Sequence, residues 1–218
     1  MPDIVSQSRE IRLTGLVPFS SVDFPGSLAA VLFLQGCPWA CRYCHNPHLQ
    51  PFQQLIPSQW SWQRARDFLQ KRIGFLDGVV FSGGEPTAQK GLTEAIAEAR
   101  SMGYRIGLHT AGAYPERLEK ILPLIDWVGL DIKAPLDERY DRITGAEGSD
   151  RLVRASLRLI LGAGIAYQLR TTVHPQLLSP LDLQDLHAHL AALGTHFTVI
   201  QQFRPQGCAD TELIASAA

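Results

Sequence analysis

Three of the four cysteines in this 218-residue chain lie within the segment GCPWACRYCHN. Cys37, Cys41 and Cys44 are spaced so that they can act together as metal ligands. A zinc site would take the three thiolates with His45 or His48 as the fourth ligand. Three thiolates alone suit an iron-sulfur cluster in which one iron lacks a protein ligand and is left open to a small molecule. Both kinds of site remain possible from spacing alone.

The fourth cysteine, Cys208, lies about 160 residues further on and has no ligand-like spacing to the others. We interpret it as a free thiol. Crowded cysteines of this kind differ from a disulfide framework, and in a reducing cytosol they more often bind metal. The first twelve residues lack an apolar signal core, and no segment approaches the roughly 20 apolar residues of a membrane span. We therefore expect a cytoplasmic protein that does not bind a membrane.

The composition is that of an ordinary globular protein, with 45% hydrophobic and 19% charged residues. It excludes neither an enzyme nor a binding module. The net charge is -1, and Lys and Arg are spread along the chain, so the basic surface of a nucleic-acid binder is not expected. A chain of this length can form one sizeable core, and we expect a single domain over residues 1–218.

Short apolar runs that are typical of buried strands alternate with segments that are typical of helices. Strands are predicted at 28–34, 77–81, 104–110, 126–132, 166–173 and 196–203. Helices are predicted at 58–72, where Ser58 would be the N-cap, and at 92–103, 115–123, 149–164 and 181–194. This alternation predicts an α/β fold with a parallel sheet and outer helices, as a partial barrel or an open doubly wound sheet.

Either architecture places functional residues at the C-terminal ends of the strands. The segments that end or follow the six predicted strands are GCPWACRYCHN, SGGEP (82–86), HTAG (109–112), DIKAP (131–135), RTTVHP (170–175) and QQFRPQGC (201–208). The unusual polar and glycine residues are therefore expected along one rim. Such a concentration favours a catalytic mouth over a scaffold.

The cysteine segment resembles the C-x3-C-x2-C signature of the radical S-adenosylmethionine (radical SAM) enzymes, which carries an aromatic residue, here Tyr43, before the last cysteine. The resemblance implies a partial (β/α)6 barrel of radical SAM type. It also implies that Cys37, Cys41 and Cys44 bind one [4Fe-4S] cluster, whose fourth iron is chelated by the amino and carboxylate groups of SAM. Tyr43 is expected beside this cofactor.

Two further segments are similar to elements of this family. SGGEP resembles the GGE motif, in which Gly83 and Gly84 would allow the backbone to approach SAM, and Glu85 or nearby carbonyls would accept from its ammonium group. DIK resembles the Asp-x-Lys element of glycyl-radical activating enzymes. Asp131 and Lys133 would lie on one side of their strand end and hold polar groups of SAM.

HTAG is similar to the DTNG element of pyruvate formate-lyase activating enzyme, with Thr110 matching and His109 replacing the Asp that helps to bind a monovalent cation. This replacement puts the cation site in doubt, and His109 could be a core residue. By alternation, Arg170, Thr172 and His174 share one face of their strand end, in a region that contacts SAM or substrate in relatives.

The continuation CHNP resembles the glycyl-radical activating branch, and residues 12–205 are most similar to activating proteins of anaerobic (class III) ribonucleotide reductase. The resemblance implies a SAM-dependent oxidoreductase that forms a glycyl radical on a partner enzyme. It also implies an electron donor such as flavodoxin or ferredoxin. No cysteine lies between Cys44 and Cys208, so one cluster is expected.

Two alternatives belong to other classes of protein. A radical SAM enzyme that acts on a small molecule, such as a deazaguanine synthase, would share the cysteines and the barrel. A non-enzymatic zinc module would share only the cysteines. Trp39 was open to two interpretations, since it could pack over the cluster or contact a partner protein at an exposed rim.

Overall fold

The computed structural model describes residues 11–53, 58–195 and 198–216, which are organised around one seven-stranded sheet. The strands follow one another in chain order: β1 (Leu13–Ser20), β2 (Ala29–Leu34), β3 (Gly78–Gly83), β4 (Arg105–Thr110), β5 (Trp127–Asp131), β6 (Ala166–Val173) and β7 (Val199–Gln202). Neighbouring strands from β2 to β7 are parallel. The predicted α/β fold and its six parallel strands are confirmed. Residues 196–197 of the sixth predicted strand lie outside the described residues.

The first strand, β1, is not among the predicted ones and runs antiparallel to β2. Its sequence, LTGLVPFS, contains a glycine and a proline and has no regular apolar alternation. It forms nevertheless because Leu13 and Leu16 pair with Leu34 and Leu32 of β2. As an edge strand it can tolerate the proline.

The helices are α1 (Trp62–Gln70), α2 (Leu92–Ser101), α3 (Pro115–Ile121), α4 (Glu138–Thr144), α5 (Ser149–Ala163), α6 (Pro180–Ala191) and α7 (Thr211–Ser216). The five predicted helices are present, and the short helices α4 and α7 are additional. The predicted N-cap at Ser58 is wrong: Ser61 caps α1 by accepting from the Arg64 N–H at 3.2 Å. The Ser58 hydroxyl instead donates to Thr14 O of β1 at 3.2 Å.

The larger apolar core lies between the sheet and the helices, because alternate strand residues point to that face. Fully buried members from both layers are Leu32, Phe81, Leu108, Leu130, Ile96, Leu118, Leu157 and Leu186. Within the described ranges, no helix is both long and apolar enough to cross a membrane.

A second, smaller apolar cluster lies on the opposite face of the sheet and contains Phe24, Ala29, Val31, Val80 and Trp127. On the same side, a single cavity is lined by residues of every strand from β3 to β7. The sheet therefore curves around this cavity, which favours the partial barrel over the open doubly wound sheet.

Candidate active site

The cysteine segment forms an irregular loop after β2 that backbone hydrogen bonds hold at both ends. Cys37 N–H donates to Gln50 O at 2.9 Å, and Ala40 N–H donates to Thr144 O, at the end of α4, at 2.8 Å. The three cysteines of the loop are free, partly exposed thiols, and all of them line the large cavity. The loop thus brings three potential ligands to one wall of that cavity.

Burial favours the protonated form of two of these thiols, Cys37 and Cys41. Removal from water, together with the charge of Glu85, raises the pKa of the Cys37 thiol to about 12. Burial also raises the pKa of the Cys41 thiol. A coordinated metal reverses this preference, because it deprotonates the thiol that it binds. The donor set is therefore suited to a thiolate-binding metal centre.

An iron-sulfur cluster fits this loop. Among the described residues, no three Cys, His, Asp or Glu side chains already stand close enough together to ligate one metal ion. A cluster presents a different iron to each thiolate and so does not require the three sulfurs to meet at one point. Three thiols on one loop, beside a cavity that can admit a small molecule, match a cluster with one iron free of protein ligands.

Gly83 and Gly84 line the cavity, but their lack of a side chain is explained by a different contact. Gly83 has a φ of +117°, and a Cβ atom there would collide with the backbone of Leu34. A Cβ atom on Gly84 would lie 2.5 Å from Gly36 O. Glycine is therefore needed where the loop after β3 packs against the chain that enters the cysteine loop.

Glu85 lies behind the cavity wall rather than in it, and its contact with SAM stays a prediction. Its carboxylate is 0% exposed. It accepts from Thr87 N–H and Thr87 Oγ1 at 3.0 and 2.6 Å, from Thr110 Oγ1 at 2.7 Å and from Ala111 N–H at 2.8 Å. Burial raises the pKa of Glu85, against the effect of these donors. The side chain joins the loop after β3 to the loop after β4.

A charged cluster stands on the wall formed by β5 and β6. Arg170 Nε and Nη2 lie 2.9 and 2.8 Å from Asp131 Oδ1, and Lys133 Nζ lies 3.7 Å from Asp131 Oδ2. Burial alone would raise the pKa of Asp131, but the charges of Arg170 and Lys133 outweigh it and lower that pKa. The cluster carries a net charge of +1. It can therefore attract an anionic group while Asp131 accepts from a donor.

Tyr43 and Trp39 line the cavity as members of the cysteine loop. The Lys133 ammonium lies 5.6 Å from the centre of the Tyr43 ring. Trp39 is only 2% exposed and meets Tyr140 edge-on at 5.9 Å. Of its two interpretations, the exposed contact for a partner is therefore wrong, and Trp39 packs inside the site.

His109 and Thr110 lie at the end of β4, where both line the cavity. His109 Nε2 lies 2.8 Å from Asp23 O, which only accepts, so this nitrogen carries the hydrogen. Nδ1 lies 3.4 Å from Ser82 Oγ. Burial, with a smaller effect of the Arg170 charge, lowers the pKa of His109 to about 4. His109 is therefore a neutral structural side chain at neutral pH.

The structure brings most of the predicted site residues to one cavity of about 670 Å³. The predicted members at its wall are Cys37, Cys41, Cys44, Tyr43, Gly83, Gly84, Thr110, Asp131, Lys133, Arg170 and Thr172. Asn46, Gln50, Gln201, Gln202 and Arg204 also line it and had no assigned role. The only signal for Gln201, Gln202 and Arg204 was their place after the last strand. The volume lies in the range of small-molecule sites.

His174 and Cys208 lie outside this wall. His174 Nδ1 accepts from Gln176 N–H at 3.2 Å, and its ring packs edge-on against Phe203 at 5.0 Å, whereas its contact with SAM stays a prediction. The Cys208 thiol donates to Arg42 O at 3.4 Å. These residues join the C-terminal segment to β6 and to the back of the cysteine loop.

The fold and the three thiols at its cavity define a radical SAM protein: residues 31–187 match the Radical SAM superfamily, and the chain belongs to it. Membership implies a [4Fe-4S] cluster and SAM. A Methanocaldococcus jannaschii protein, whose name places it among the glycyl-radical enzyme activating enzymes, is 30% identical over 92% of this chain and 83% of its own length. The pyruvate formate-lyase-activating enzyme of Streptococcus mutans is 30% identical over 76% of this chain and 68% of its own length.

Solved structures with low sequence identity show the same fold. QueE from Escherichia coli gives a TM-score of 0.52 at 15% identity, over 97% of this chain and 94% of QueE. TYW1 with a lysine-pyruvate adduct gives a TM-score of 0.58 at 16% identity, over 81% of this chain and 65% of TYW1. At these identities the likeness concerns the fold alone.

Proposed function

We propose that this protein is a SAM-dependent oxidoreductase that forms a glycyl radical on a partner enzyme. The observation that carries the proposal is the single cavity that the three thiols share with the charged cluster of Asp131, Lys133 and Arg170. The names of its relatives support the choice of an activating enzyme over other radical SAM reactions. We also propose that residues 1–218 are one domain with its core at 12–205.

The proposed ligands of the [4Fe-4S] cluster are Cys37, Cys41 and Cys44. When bound, the reduced cluster supplies one electron to SAM, whose carbon-sulfur bond breaks to give methionine and a 5'-deoxyadenosyl radical that removes hydrogen from the partner glycine. The protein binds and orients these groups and limits access to them.

The side chains at the wall are suited to the charges of SAM. Lys133 and Arg170 offer cationic donors to its carboxylate, whereas Asp131 accepts from its ammonium or a ribose hydroxyl. Tyr43 and Thr110 are further contacts in this proposal, together with the backbone of Gly83 and Gly84. Glu85 acts through other residues, since its carboxylate fixes Thr110 and Ala111.

The proposed partner is an anaerobic (class III) ribonucleotide reductase, because CHNP and the residues before the cysteines resemble that branch. Pyruvate formate-lyase is a second candidate, favoured by the names of several relatives that are 30–31% identical. A flavodoxin or ferredoxin is the proposed electron donor. We place the reaction in the cytoplasm.

The test uses anaerobically reconstituted protein, a reductant, SAM and each candidate partner. We expect iron-dependent release of 5'-deoxyadenosine and a glycyl-radical signal in electron paramagnetic resonance (EPR) spectra of one partner. Omission of SAM is the control and should abolish both. If 5'-deoxyadenosine forms but neither partner acquires the signal, these partner assignments fail, and small-molecule substrates of the deazaguanine-precursor type become the next to test.

A further inference from the structure

The loop between β1 and β2, residues 21–27, inserts an aromatic ring into the barrel. We call these residues the floor loop. Phe24 is only 1% exposed although it lies in a connecting segment. Its ring stacks on Trp127 of β5, with the ring centres 5.8 Å apart and the planes inclined by 27°. Connecting segments normally lie on the surface, so a buried aromatic ring here requires a cause.

The strands provide space for this aromatic pair at three glycines. A Cβ atom on Gly78 would lie 2.9 Å from Phe24 Cε1, and one on Gly107 would lie 3.3 Å from Phe24 Cδ1. A Cβ atom on Gly129 would lie 2.8 Å from Trp127 Cη2. Glycine within a strand commonly marks a close approach of another group. Three neighbouring strands thus form a site that is fitted to these two rings.

Polar contacts from β4 hold the floor loop in this position. His109 Nε2 donates to Asp23 O at 2.8 Å, and Arg105 Nη1 donates to Ser27 Oγ at 2.9 Å. The Arg105 guanidinium also lies 4.8 Å from the centre of the Phe24 ring. His109 also lines the large cavity beside the cysteine loop, which we call the reaction cavity. One side chain therefore contacts both the floor loop and this cavity.

The Phe24–Trp127 pair lies beneath the wall of the reaction cavity, because Trp127 meets His109 of that wall edge-on, with the ring centres 5.5 Å apart. The reaction cavity of about 670 Å³ lies towards the C-terminal ends of the strands. A second cavity of about 430 Å³ is lined by both rings and by Arg105, Gln168 and other residues near the N-terminal ends. The Arg170 guanidinium and the Trp127 ring both approach Gly129, where a Cβ atom would lie 3.0 and 2.8 Å from them. The aromatic pair therefore also lies beneath Arg170.

We infer that Phe24, packed with Trp127 beneath His109 and Arg170, closes the lower end of the barrel and keeps small hydrogen donors away from the radical formed above it. The inference rests on the proposed cleavage of SAM but not on the identity of the partner. A thiol that reached the 5'-deoxyadenosyl radical would transfer its hydrogen atom to the 5' carbon. The products would be 5'-deoxyadenosine and a thiyl radical, and the radical would be lost to the partner.

The test measures that loss with the full-length, cluster-loaded protein in D2O, with SAM, dithionite and dithiothreitol, whose thiol hydrogens exchange for deuterium. Mass spectrometry of 5'-deoxyadenosine reports how much hydrogen comes from the thiol. We expect Phe24→Ala to raise the deuterated fraction at least threefold and Phe24→Leu to raise it less. Phe75→Ala, which removes a ring that is 74% exposed, is the matched control and should leave it unchanged.

An unchanged deuterated fraction in Phe24→Ala protein with full iron content and wild-type circular dichroism would overturn the inference. If Phe24→Ala does not fold, an unchanged fraction in Phe24→Leu does so. The assay contains no partner protein. A wild-type enzyme that cleaves SAM but forms no glycyl radical would therefore contradict the proposed function and still leave this result interpretable.

Discussion

The inner face of the barrel has two halves with opposite chemistry, although the same strands form both. Towards the C-terminal ends, its wall includes Ser82, His109, Asp131, Arg170 and Thr172. Towards the N-terminal ends, it holds an apolar cluster of Phe24, Ala29, Val31, Val80 and Trp127, with Arg105 against Phe24. The change occurs within two residues along β3, between Val80 and Ser82.

The difference shows how one sheet serves both stability and chemistry. Burial of apolar side chains stabilises the fold and requires no hydrogen-bonding or charged partner. Buried charges need specific partners, as Asp131 has in Arg170 and Lys133. Changes in the lower half should therefore reduce stability, whereas changes in the upper half should reduce cofactor binding. The predictions below test this division, beginning with the largest effect.

Replacing Cys41 with Ala should abolish the cluster and SAM cleavage, because the loop would retain only two of its thiolates. Iron analysis and the yield of 5'-deoxyadenosine measure the two effects. Cys208→Ala is the control, since Cys208 lies outside the cavity wall and contacts Arg42 O. Loss of iron in Cys208→Ala protein would show that the assignment of three ligands is wrong.

Truncation of Phe24 to Ala should lower the free energy of unfolding by about 3–5 kcal/mol, the usual cost of removing a buried ring. Urea unfolding of the metal-free protein under reducing conditions measures it. Phe75→Ala should change stability by no more than about 0.5 kcal/mol, as exposed positions generally do. Similar losses for the two variants would mean that the ring in the floor loop is not a packed part of the barrel.

The neutral His109 predicts a loss of stability in acid. Burial lowers its pKa from the usual 6.5 to about 4, so between these values the unfolded chain binds a proton that the native protein does not. Stability should therefore fall as the pH decreases from 6.5 to 4, by up to about 3 kcal/mol from this group. Unfolding of metal-free wild-type and His109→Gln proteins measures the contribution. Parallel pH profiles would contradict it.

Replacing Arg170 with Met should weaken SAM binding about 10- to 100-fold, which corresponds to about 1.4–2.8 kcal/mol. The variant removes one cationic donor and leaves Asp131 with Lys133 alone, at 3.7 Å. Equilibrium binding of SAM to the reconstituted protein measures the effect. Arg158→Met, on the helix α5, is the comparison and should bind SAM normally. An unchanged affinity of Arg170→Met for SAM would show that the charged cluster is not part of the SAM site.

The parallel strands and the rim could be predicted because their signals are local. Apolar runs indicate the strands, and the places of Asp131 and Arg170 on the rim are predicted by where those strands end. The direction in which a side chain points after a strand ends depends on residues that are distant in sequence. Glu85 turns inwards because donors 25 and 26 residues away in sequence, Thr110 and Ala111, satisfy its carboxylate.

The burial of the floor loop is likewise determined by residues that are distant in sequence. In the sequence, Phe24 is one apolar residue in a Pro- and Gly-containing connection. Its burial depends on glycines of β3 and β4, such as Gly78 and Gly107, that are far away along the chain. The strand β1, which precedes the loop, likewise forms only because β2 is there to pair with it.

The most direct test of the account is the EPR spectrum of the reduced, cluster-loaded protein before and after addition of SAM. The central claim is that three thiolates hold a [4Fe-4S] cluster whose remaining iron binds SAM in the upper half of the barrel. We expect the signal of a reduced [4Fe-4S] cluster, with g values that change when SAM is added. A spectrum that stays the same at saturating SAM would contradict the claim.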